Sequence, residues 1–168
     1  MIDAILRDLR QPEYLHVLLN PLPVYGLAVA LLGLIAALYL GTRGGQVTAL
    51  VLIFACAASA WPVAHYGEAA ESSVLAMADD DGQAWLKAHA HRADDLIYVF
   101  YALALVSVAA IFVPKKWPGT ARPLAVATLL LALASLSAGF YIAYAGGKIR
   151  HKEFRSTPPP PTVEAESG

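Results

Sequence analysis

The stretch LIYVFYALALVSVAAIFV, residues 96–113, carries no charged side chain and is stopped by Pro114 and Lys115. A helix needs about 20 apolar residues to cross a bilayer, so this run reads as a membrane span. Three further stretches read the same way. Leu22 to Leu40 is entered through Pro21 and Pro23, which suit a helix start. Val47 to Tyr66 ends with Trp61 and Tyr66 where interfacial aromatics belong, and Pro62 bends its last turn. Pro123 to Ala145 is closed by Gly146 and Gly147. No soluble fold needs four uncharged runs of this length. Gly26, Gly33, Ser59, Ser135, Ser137 and Gly139 are small enough to let such helices approach closely.

Composition agrees. Of 168 residues, 58% are hydrophobic and 15% charged, against roughly a quarter charged in soluble domains. A net charge of -1 without a basic patch argues against a nucleic-acid partner. The single cysteine, Cys56, lies in an apolar run and reads as a small buried hydrophobe.

The connections divide the spans into two hairpins. Thr42 to Gln46 and Lys115 to Arg122 are short turns, and Gly67 to Asp95 is a longer polar segment. The expected fold is all-α: an integral membrane four-helix bundle of two hairpins over residues 17–155. An amphipathic interfacial helix over 1–16 precedes it, with Ile2, Ile5, Leu6 and Leu9 at helical spacing. A Pro- and Glu-rich disordered tail over 156–168 follows. Counting crossings puts both termini and the middle segment on one face, with every acidic residue. The short turns carry Arg43, Lys115, Lys116 and Arg122 on the other face. The positive-inside rule places those turns in the cytoplasm and the termini outside, in the periplasm if the host is a bacterial inner membrane. Lys148, Arg150, Lys152 and Arg155 on the opposite face weigh the other way.

All five histidines fall on the face with the acids. His16 precedes the first span, His65 closes the second, His89 and His91 lie in the middle segment, and His151 follows the fourth. Glu68, Glu71 and Glu153 accompany them. Imidazoles and carboxylates at one height are the material of a metal or haem site. His16, His89 and His151 are therefore expected to converge on a cofactor, a b-type haem or a transition metal. A b-type haem would take two facing histidines, with His16 and His151, and His89 beside them, as the candidates, whereas a metal would take two histidines with Glu68 or Glu71 instead. His89 and His91 are two apart and diverge on a helix, so at most one joins a given site. Glu68, Arg150 and Glu153 are candidates for a structural ion pair, with Arg92 a second partner for Glu68. Asp79 to Asp81, followed by Gly82, reads as a solvated turn.

Three motifs carry a resemblance: LHVLLNPLPVYG at 15–26, GEAAE at 67–71 and GGKIRHKE at 146–153. In these the chain resembles a family of bacterial four-helix integral membrane proteins of uncharacterised function. The likeness covers most of the chain and picks out His16, Glu68, Glu71, His89, Arg150, His151 and Glu153. The family carries a further histidine where this chain has Pro21, and His65 and His91 lie outside its pattern. The resemblance implies the fold and no reaction.

Two functions of different kind follow. One is a cofactor-binding redox or accessory subunit built on the histidine cluster. The other is a purely structural subunit, in which the cluster is a hydrogen-bonded clasp and the protein docks on a larger membrane complex. Both have the lipid bilayer as a partner. A transporter ranks last, since no span carries a charge at its centre. Nucleophile-elbow, phosphate-loop and zinc-protease motifs are all missing from the sequence.

Overall fold

Four helices in this chain are long and apolar enough to cross a membrane: Pro12–Tyr39, Arg43–Met77, Asp80–Lys116 and Pro118–Arg150. The computed structural model describes residues 2–161, and no strand occurs among them. Residues 162–168 of the expected tail lie outside the described residues.

The N-terminal segment is two helices rather than one. α1 spans Ile2–Asp8 and α2 spans Pro12–Leu19. Pro12 has no N–H to continue a preceding helix but fits a first turn, which breaks the chain at Leu9 to Gln11. His16 sits on α2, which packs against α5, Ala60–Met77. A π-helical turn, Leu22–Gly26, joins α2 to α3, Leu27–Tyr39. Pro21 and Pro23 supply no N–H there, and the wider turn absorbs the misfit. Gly41, at φ 66°, ends α3.

α4, Arg43–Ala58, runs back beside α3 and, after a break at Ser59, continues as α5. α6, Asp80–Lys116, and α7, Ala121–Arg150, form the second hairpin and share the most extensive contact of any pair. Leu27, Leu31, Leu34, Leu50, Ile53, Phe100 and Leu103 fill the interior with buried alanines between them. Val29, Leu32, Ile35, Leu105 and Leu130 point outward and are exposed. An apolar exterior of this kind is what lipid as a solvent requires.

The small residues do bring helices together. A Cβ at Gly26 would lie 2.9 Å from the sulfur of Cys56, which is buried, and one at Gly139 would lie 3.2 Å from Val24 Cγ2. Ser107, Thr128 and Ser135 are fully buried, yet each donates to a carbonyl one turn back, at 2.7, 2.8 and 2.9 Å. These hydroxyls are thus satisfied within their own helices. Pro114 cannot donate to the Ala110 carbonyl in α6, and the Arg43 guanidinium takes that oxygen at 2.8 Å.

Beyond the apolar stretches, the helices extend into a second small core of Trp85, Leu86, Ala145 and Ile149. Asp79 pins its top. Its side chain caps α6 through Gly82 N–H at 3.0 Å and meets Lys152 and Arg155, each at 2.9 Å. Arg155 also donates to the Lys148 and Ile149 carbonyls, both at 2.8 Å. The turn read as solvated is therefore a fastening between the two ends of the α6–α7 hairpin.

Lys152 first, then Arg155 and the Gly82 N–H, hold the Asp79 carboxyl down to about 2, against some desolvation that raises it. A depressed folded-state value stabilises above the ordinary 3.8 and is lost as pH falls toward 2. Melting curves in detergent should thus show wild type above Asp79→Asn at neutral pH, the two converging between about pH 4 and pH 2. Parallel curves across that range would show that the fastening does not titrate.

Candidate functional site

Two histidines meet where α2 and α6 come together, and each is held in the same way. His16, on α2, lays its ring against Gly67 of α5. A Cβ there would be 3.0 Å from the ring's Nδ1 and 3.1 Å from Cε1. His16 Nδ1–H donates to the Val63 carbonyl at 2.9 Å, four residues before that glycine. His89, on α6, repeats the arrangement in the second hairpin. Its ring lies against Gly146 of α7, where a Cβ would be 3.0 Å from Nδ1 and 3.1 Å from Cε1. His89 Nδ1–H donates to the Ile142 carbonyl at 2.9 Å, again four residues before the glycine.

A carbonyl oxygen can only accept, so each bond puts the proton on Nδ1 and leaves the lone pair of a neutral ring on Nε2. The two rings stand 6.2 Å apart between centroids, at 89° to one another. Two imidazoles that each bring a nitrogen about 2.0–2.1 Å from one metal atom, from opposite sides, have centroids roughly 6 Å apart.

The rest of the expected cluster is elsewhere. His151 is exposed, bonded to Glu153 at 2.9 Å and stacked on Phe154. Its ring closes a short turn after α7 instead of entering the helix interior. Glu153's carboxyl is held below the usual range by its own backbone N–H and then by His151. Glu68 and Glu71 are exposed on α5. Among the described residues, no three His, Cys, Asp or Glu side chains gather to hold a metal ion. The expected set of His16, Glu68, Glu71, His89 and His151 therefore does not gather as one centre: His16 and His89 meet, while His151 bonds to Glu153 and the two glutamates are exposed.

Nor do the arginines take Glu68. Arg150 Nη1 reaches Met77 Sδ at 3.8 Å, and Arg92 donates to the Tyr141 carbonyl at 3.0 Å while lying over that ring. His65 stacks on Trp61 at the outside of α5, and His91 is 3.4 Å from Asp95. The divergence of His89 and His91 on one helix is as expected.

Comparison of the chain with family models, with curated proteins and with solved structures gives no match.

The sequence reading missed Gly67 and Gly146 as members of the site. Their signal was present: in both hairpins a β-branched residue (Val63, Ile142) precedes a glycine by four near the outer helix end. It also missed Lys148 and Trp85, which are almost wholly buried at 2% and 3% exposure.

Proposed function

We propose that this chain is a b-type haem-binding membrane protein, a redox or accessory subunit, in which His16 and His89 would hold the haem iron. The observation that carries the reading is the duplicated histidine mount and its 6.2 Å ring separation. Each hairpin carries one mount, so each would contribute one imidazole to a cofactor held between the hairpins. Only two protein ligands are required, which fits a pair without a third histidine or carboxylate.

Bound there, haem supplies one-electron transfer at its iron. The chain's own groups set the conditions. The Val63 and Ile142 carbonyls fix the tautomer and rotation of each ring and raise its basicity as a ligand. Gly67 and Gly146 let the Nδ1–Cε1 edge of each ring come in close against its neighbouring helix. The apolar core beneath excludes water from one side.

The purified protein should show the sharp absorption of a low-spin haem with two imidazole ligands, at one haem per chain. A second reading has support in the near-perpendicular ring packing. Edge-to-face imidazoles with both Nδ1–H groups satisfied also make a structural clasp between the hairpins. That protein would be colourless and would refuse added haemin.

The proposed architecture is a four-helix bundle in the inner membrane of a bacterium, with both termini and the histidine pair on the periplasmic side and the short basic turns in the cytoplasm. Single cysteines introduced at Gly44, Gly119 and Ser156, with Cys56 replaced by alanine, test it. Gly44→Cys and Gly119→Cys should label only from the cytoplasmic face and Ser156→Cys only from the other. Labelling of all three from one face would sink the four-span arrangement, and the reverse pattern would invert the orientation.

A further inference from the structure

One turn outward from the histidine pair lies a buried cation whose neighbours among the described residues are neutral groups. The Lys148 side chain is 2% exposed. Its ammonium donates to Tyr144 Oη at 2.8 Å and to Thr157 Oγ1 at 3.1 Å. It stands over the Trp85 ring at 4.4 Å and the Tyr144 ring at 4.2 Å from their centroids. Aromatic faces and hydroxyls attract an ammonium, but they do not neutralise it. A buried ammonium without a counter-charge is costly. Beside it, Trp85 Nε1 is buried with no hydrogen-bond partner among the described residues. A native N–H left in that state calls for an acceptor.

One anion would answer both groups. A carboxylate has acceptor oxygens for an ammonium and for an indole N–H at once, and it supplies a negative charge that no described neighbour carries. Helix geometry ties this place to the histidines. Trp85 precedes His89 by one turn on α6, about 6 Å along the axis and on the same face. Lys148 follows Gly146, the glycine under the His89 ring, by two residues on α7. A cofactor seated between the imidazoles would have its edge near this pair, and haem carries two carboxylate arms on one edge.

We propose that Lys148 and Trp85 form the recognition site for a carboxylate of the cofactor held by His16 and His89. The proposal rests on the haem reading given above. Tyr144 and Thr157 take two of the ammonium's three N–H groups, and the third is the one offered to the incoming oxygen.

Titration of the full-length apoprotein in detergent with haemin and with its dimethyl ester, followed by absorption, tests this. The ester keeps the ring and iron but lacks both carboxylate charges. Wild type should bind haemin about tenfold or more tightly than the ester, the worth of a lost charge-assisted bond. Lys148→Met should bind the two equally, and Trp85→Phe should narrow the preference. Lys148→Arg keeps the charge and should keep most of the preference, which also covers the case in which Lys148→Met does not fold. Equal affinity of wild type for both forms, or a preference that survives in Lys148→Met, overturns the carboxylate site while a two-imidazole spectrum leaves the haem reading standing. Wild type that binds neither form overturns both.

Discussion

His16→Ala and His89→Ala are each expected to abolish stoichiometric haem binding and its low-spin spectrum. Losing a group that merely orients a ligand costs about 10–100-fold in affinity, and loss of the ligand itself should exceed that. Each Nε2 is one of only two protein ligands in the proposed site, so no neighbour can replace it. His151→Ala, His65→Ala and His91→Ala should leave the spectrum unchanged, because those rings are engaged with Glu153, Trp61 and Asp95. The measurement is the absorption spectrum and haem content of each purified variant. A colourless wild type, with His16→Ala and His89→Ala lowering only the melting temperature, decides for the clasp. Each substitution would then strip one part-buried bond to a carbonyl, about 1–3 kcal/mol.

The second large effect belongs to a residue with no side chain. Gly146→Val should both destabilise the protein and remove the haem spectrum. A Cβ at this position would already lie 3.0 Å from His89 Nδ1 and 3.1 Å from Cε1. The valine methyls reach further, so the ring must swing away and give up its bond to Ile142. Overpacking of this kind costs about 1–3 kcal/mol. Gly147→Ala is the control on the same helix. Its Cβ would meet only Phe154 Cδ2 at 3.9 Å, an ordinary contact. Relief of glycine's helix penalty should leave that variant equal to wild type or more stable by about 0.5–1 kcal/mol. If Gly146→Val melts and absorbs as wild type does, the ring does not depend on the glycine beneath it. Gly67→Val should repeat the effect at His16, since the two mounts have the same spacing.

What could be read from the sequence was set by solvation, which depends on runs of residues and not on partners. Leu96 to Val113 can be recognised as a span because no alternative buries it, and the same holds for the other three. Two short turns then make two hairpins, and parity of crossing puts all five histidines at one end. The spacing of His89 and His91 was also enough to say that they part.

Height along the bundle was therefore legible, whereas rotation about each helix was not. Which faces turn inward depends on how α2 meets α5 and α6 meets α7, and near the outer ends the hydrophobic pattern is too mixed to show it. Only the tertiary structure brings His16 and His89 together, engages His151 with Glu153 and Phe154 instead, and buries Lys148 against Trp85. The fastening of Asp79 to Lys152 and Arg155 likewise joins residues distant in the chain. A hydrogen bond reaches about 3 Å, so such contacts exist only once packing has fixed the rotation and offset of the helices.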